Sequence, residues 1–196
     1  MSNIEKYIEK AERFYAEQNF KDAIYWYTRA LSLAANADVY SERAVSYFHN
    51  DQLKEALEDM DRAQEMEPDR AYRYASRAYI RDAMGDVEGA VRDYEKAIEL
   101  DPDDAIAHNN LGLLIEKLGY HQKAKVLFDF ADAIAKKEQG DESATVERPR
   151  NIQSDLNKER KETSLRNEML KVFTSADQFK EFLRFVGNGF KKPDEN

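Results

Sequence analysis

Few side chains in this chain could carry out acid–base or covalent chemistry, and their spacing keeps them apart. The three histidines, His49, His108 and His121, are widely separated, and no two have the spacing of a metal-ligand pair. There is no cysteine, hence no thiol nucleophile, thiolate metal site or disulfide. No glycine-rich phosphate loop occurs. The adjacent acids Asp103–Asp104 and Asp141–Glu142 fall in polar connections, where capping helices and solvating turns is the expected work, not paired catalysis. The prediction is a non-enzyme with no catalytic residues and no cofactor or metal.

Charge says more. The net charge is −9, yet residues 139–196 hold eleven basic and eleven acidic side chains, so the whole excess falls on residues 1–138. An acidic body repels phosphate backbones, which argues against nucleic acid and favours basic or apolar partners. No run approaches the roughly 18 apolar residues of a membrane span. The first residues, MSNIEKYIEKAERF, carry Glu5, Glu9 and Glu12 and no apolar core, unlike a secretory signal. With cysteine absent, a reducing, cytoplasmic location is expected.

The elements that must position any binding surface are helical. Seven Gly and four Pro leave little material for the turns of an all-β fold. Four segments align: FKDAIYWYTRALSL, LKEALEDMDRAQEM, VEGAVRDYEKAIEL and HQKAKVLFDFADAI. Each carries two alanines seven residues apart: Ala23/Ala30, Ala56/Ala63, Ala90/Ala97 and Ala124/Ala131. The first alanines follow one another at 33, 34 and 34 residues. Upstream of each block a ring (Tyr7, Tyr40, Tyr74, His108) precedes a small residue (Ala11, Ala44, Ala78, Gly112) by four positions. Phe14, Tyr47, Arg81 and Ile115 follow three residues later. His108 therefore reads as a core ring. Both segments show apolar spacing of three and four, the helical period. Short polar turns separate them, and Pro68 and Pro102 stop the second helices of their units. Each unit is two antiparallel helices brought close by small residues. One pair cannot cover its own apolar face, so pairs must stack into a curved solenoid with an inner groove.

Period, layout and small/large pattern resemble the tetratricopeptide repeat over about residues 4–138. The resemblance implies an all-α solenoid, a right-handed superhelix of antiparallel helix pairs. The family's usual tryptophan is Tyr or His here, Arg81 stands where an aromatic is common, and the fourth copy lacks its terminal proline. That last departure predicts a final helix running on through Lys136 and Lys137. The expected organisation is a four-repeat domain at 1–138, a polar linker at 139–163, an amphipathic helical segment at 164–190 and a tail at 191–196. In the third part Leu165, Met169, Val172 and Phe173 share one helical face, and Phe179, Phe182, Leu183 and Val186 line another after a cap at Ser175. This segment has three fates: cap of the last repeat, ligand of its own groove, or contact with a second copy. Glu181 and the lack of a strongly basic face speak against a membrane-surface role.

The family's ligand surface is usually the concave face, formed by the first helix of each pair. Carried over, it comprises Ile8, Glu12 and Tyr15 from the first repeat. The second contributes Ser41, Glu42, Val45, Phe48 and His49. The third supplies Tyr72, Ala75, Ser76, Tyr79 and Asp82, and the fourth Asn109, Asn110, Leu113 and Glu116. An apolar-aromatic floor with acids along it suits an apolar or amphipathic peptide bearing Lys or Arg. Family members serving the large heat-shock chaperones grip an acidic C-terminal peptide with a two-carboxylate clamp of Lys, Asn and Arg. The corresponding positions here are Ile8, Glu12, Glu42, Tyr72 and Ser76, none of them basic, so such tails are predicted not to bind. The leading expectation is a co-chaperone-like adaptor. The alternatives are a self-associating assembly protein using the Phe-rich C-terminal helix, or a non-catalytic accessory subunit.

Overall fold

The computed structural model describes residues 2–141 and residue 149. The contacts expected of residues 165–186 lie outside that range. Among the described residues there are eight helices and no strand: α1 (Asn3–Ala16), α2 (Phe20–Leu31), α3 (Ala37–His49), α4 (Leu53–Met66), α5 (Ala71–Ala83), α6 (Val87–Leu100), α7 (Ala105–Lys117) and α8 (His121–Glu138). The fold is an all-helical tetratricopeptide-type solenoid. The helices pack most extensively within the pairs α1–α2, α3–α4, α5–α6 and α7–α8, and next where the second helix of one pair meets the first helix of the following pair.

Local chemistry sets the helix ends. Ser2 and Glu5 form a reciprocal capping box, Ser2 Oγ accepting from the Glu5 amide at 3.2 Å and Glu5 Oε2 from the Ser2 amide at 2.8 Å. Asn36, Asp86 and Asp104 cap α3, α6 and α7 by accepting from amides three residues on. Gly85 and Gly119 end α5 and α7 with φ of +83° and +89°, a conformation that a Cβ disfavours. Without a terminal proline, α8 continues past Lys136 and Lys137 to Glu138.

The alanine register is the interior. Ala11, Ala23, Ala44, Ala56, Ala63, Ala78, Ala90, Ala97 and Ala124 are all 0 % exposed. At Gly112 even a methyl is too large, since a Cβ there would stand 2.5 Å from Phe128 Cε1. Larger side chains at these points would force helices apart, at a cost of about 1–3 kcal/mol or more each. Clusters cross from pair to pair, as where Ala44, Ala56 and Met60 pack with Ile80 of the next pair.

Two buried ion pairs bind the central pairs internally. Arg43 of α3 donates to both oxygens of Asp59 of α4, at 2.6 and 2.8 Å, and to Thr28 Oγ1 at 2.9 Å. One repeat later Arg77 of α5 grips Asp93 of α6 in the same bidentate manner, at 2.8 and 2.6 Å. Arg81, the departure from the aromatic pattern, adds a third donor to Asp93 at 2.7 Å. Burial works against the Arg43 and Arg77 charges. The hydrogen bonds and charge of Asp59 and Asp93 outweigh it and hold both guanidiniums above their usual pKa. The end repeats do without this tie. Lys10 lies 4.1 Å over the Trp26 ring at the matching positions of the first repeat, and Leu111 and Leu127 occupy them in the fourth, each 1 % exposed.

Candidate protein-binding groove

Stacking places the first helices of successive pairs side by side, and their aromatic residues meet. Tyr15 of α1 makes an edge contact with His49 of α3 at 5.9 Å between centroids, and His49 stacks on Phe20 at 4.9 Å. Phe48 touches His49 at 5.5 Å and Tyr79 of α5 at 5.1 Å. Beside this chain of rings lies a concavity of about 300 Å³. It is lined by Val45, Phe48 and His49 from α3, Ala75, Ser76, Tyr79 and Ile80 from α5, Tyr94 from α6, and Ile106 and Asn110 from α7. Tyr79 and Ile106 are 55 % and 72 % exposed, so its rim is open to solvent. At its base the Tyr94 hydroxyl is pushed up to about 12, chiefly by burial, with an Asn110 hydrogen bond working the other way.

Seven positions expected of the groove thus share one concavity: Val45, Phe48, His49, Ala75, Ser76, Tyr79 and Asn110. The others distribute differently. Ile8 and Tyr15 are half-buried and pack on the core of the first pair. Tyr72 donates its hydroxyl hydrogen to Asp38 Oδ1 at 3.2 Å and accepts from Arg73 Nε at 3.0 Å. Asp82 takes up Lys117 Nζ at 3.0 Å. Asn109, Leu113 and Glu116 are exposed on α7, and Glu12 and Glu42 on α1 and α3. Ser41 is a correction. It is 3 % exposed, and its hydroxyl donates to the Ala37 carbonyl and accepts from the fully buried Arg73, which leaves no surface for a ligand.

The carried-over groove missed Ile80, Tyr94 and Ile106. Tyr94 comes from a second helix, which the first-helix rule ignores. It follows the first alanine of its block by four residues, as Tyr27, Met60 and Phe128 do in theirs. That recurring large residue was the available signal.

Nothing here resembles an acid–base or nucleophilic constellation. His49 is exposed and makes ring contacts with Tyr15, Phe20 and Phe48, and the buried His108 hydrogen-bonds the Pro102 carbonyl at 3.1 Å and packs on Phe130. Among the described residues no group of His, Cys, Asp or Glu could hold a metal ion, and no helix is long and apolar enough to cross a membrane.

Comparison with known proteins agrees with this geometry. A family model described as a tetratricopeptide repeat matches residues 37–70, and one described as a TPR repeat matches residues 80–119. No curated protein matches the chain. A crystal structure of MamA is similar at 24 % identity and TM-score 0.67, over 70 % of this chain and 81 % of that one. MamA from Desulfovibrio magneticus RS-1 is similar at 18 % identity and TM-score 0.64, over 71 % and 78 %. The first TPR domain of Spaghetti (RPAP3), bound to the HSP90 peptide SRMEEVD, is similar at 26 % identity and TM-score 0.57, over 59 % of this chain and 93 % of that domain.

Proposed function

We propose that this chain, a tetratricopeptide-repeat protein and so a protein-interaction scaffold in kind, holds an apolar or amphipathic, basic peptide segment of another protein along its inner wall. The observation that carries the reading is the open concavity beneath Phe48 and Tyr79. An apolar side chain entering it would bury against rings already ordered by their neighbours, and ordered rings lose little entropy on binding. Adaptor work of this kind needs no catalytic group, and a cytoplasmic setting would suit a chain without cysteine.

Acidic chaperone tails are not the proposed ligand, although the similar Spaghetti domain is bound to one. The positions that would grip a terminal carboxylate here are Ile8, Glu12, Glu42, Tyr72 and Ser76, which offer repulsion and no cation. The test is Phe48→Ala and Tyr79→Ala, each truncating one wall of the concavity. Each should weaken binding of a groove peptide about tenfold or more while helical content by circular dichroism stays intact. Undiminished binding by both variants would move the site elsewhere.

A further inference from the structure

The inner wall carries a second feature, N-terminal to the aromatic concavity, at the seam of α1 and α3. Glu12 lies between Ile8 and Tyr15, which both pack on the first core cluster, and Glu42 lies three residues beyond Val39 of that same cluster. Both side chains reach solvent, Glu42 partly shielded by its neighbours, and neither carboxylate has a hydrogen bond or ion pair among the described residues. The cluster that both border contains Tyr27 of α2, 1 % exposed. Its hydroxyl is buried with no hydrogen-bond partner among the described residues. Burial first, then the charges of Glu42 and Glu12, push its ionisation far above that of an ordinary phenol. Glu42 is itself held above the usual carboxylate range, by burial and then by Glu12 and Asp38. A buried hydroxyl without a partner is costly and rare, and this one belongs to the cluster that two uncompensated carboxylates border.

We propose that Glu12, Glu42 and the Tyr27 hydroxyl form a socket for one Lys or Arg side chain of the bound segment. The inference rests on the groove reading above and adds the chemistry of its ligand. An ammonium or guanidinium would give both carboxylates a charge-assisted partner and could donate to the phenol oxygen. Tyr15, three residues beyond Glu12 on α1 and half-buried, offers its ring to the aliphatic stem or the cation. A bare metal ion fits less well, since among the described residues no acidic group is arranged to hold one. Along α3 the socket residue Glu42 and the concavity residue Phe48 are separated by about 9 Å at 1.5 Å per residue. An extended ligand covers that span in about three residues. The preferred segment therefore pairs a basic residue with a large apolar one about three positions away.

Selection of a random twelve-residue peptide library displayed on phage, against the full chain, tests this without knowledge of the natural partner. Enriched sequences should carry Lys or Arg about three residues from a large apolar side chain. Changing the basic residue to Gln should weaken binding about tenfold, and so should the double variant Glu12→Gln, Glu42→Gln. Tyr27→Phe should weaken the same peptides about threefold without lowering the melting temperature, because the lost hydroxyl has no partner in the free protein. Apolar peptides selected with no basic preference, or basic peptides bound equally by the Gln variants, would overturn the socket and leave the groove standing. A selection yielding no binder, or binders indifferent to Phe48→Ala and Tyr79→Ala, would defeat both.

Discussion

Asp59 and Asp93 lie on the second helices of the two central pairs, 2 % and 4 % exposed, and each is gripped bidentately by an arginine. Glu12 and Glu42 are exposed on the first helices α1 and α3 and face no cation among the described residues. One chain thus treats its carboxylates in two ways. Where burial would leave a charge stranded, an arginine 16 residues upstream meets it. At Glu12 and Glu42, exposed on first helices, the fold leaves the carboxylate open. The buried pairs belong to assembly, and the open acids are what a basic ligand would complete.

The largest expected effect lies on the buried side. Asp93→Ala would remove the bidentate partner of Arg77 and the nearest partner of Arg81, leaving them Asp61 at 2.8 Å and Asp86 at 3.8 Å, and should destabilise by about 3–4 kcal/mol in chemical denaturation. A loss below about 1 kcal/mol would mean that water, Asp61 and Asp86 suffice for those guanidiniums and that the two classes of carboxylate differ little. Next comes a swap that imports the fourth repeat's solution into the second. Arg43→Leu or Asp59→Leu alone should cost about 3 kcal/mol, while the double variant should return to within about 1–2 kcal/mol of the parent, because Leu111 and Leu127 already fill the matching positions. Additive losses would show that the ion pair shapes the central repeats beyond neutralising its own charges.

The smallest effect concerns the open side and has the opposite sign. Glu42→Gln removes a carboxylate whose ionisation is disfavoured, first by burial and then by Glu12 and Asp38. Because Glu42 is exposed and solvent screens most of that penalty, the substitution should raise stability by only a few tenths of a kcal/mol at neutral pH. A raised carboxyl pKa means that the folded state holds its proton more tightly than the unfolded chain. The handicap from Glu42 is therefore absent in acid and grows to its full size as pH rises past the folded-state value. Melting curves of parent and variant should converge at low pH and separate toward neutrality. A gap that widens in acid would place a favourable partner on Glu42 in the free protein.

Much of this architecture was legible in the residues. Alanines at a 33- and 34-residue period, prolines after second helices and cap residues such as Asp104 all act within a turn or two of their own position, so their consequences can be read along the chain. The Arg–Asp ties recur at the same period and could have been found, but an arginine 16 residues before an aspartate has no meaning until two helices are antiparallel and close. Arg81 illustrates the difficulty. As a break in an aromatic column it has no evident purpose, and its purpose comes from Asp93 across the pair.

The same division runs through the groove. Helix pairs, their stacking and an inner wall rich in rings follow from residue types and local spacing. Which of those residues face outward does not. Ser41 occupies a groove position by register, yet Arg73, 32 residues later, claims its hydroxyl. Tyr94 belongs to a second helix and still forms part of the concavity's lining. Tyr27 is buried in the first core cluster with its hydroxyl unanswered. Each outcome depends on side chains from different helices competing for one small volume, and that competition is settled when the pairs close on one another.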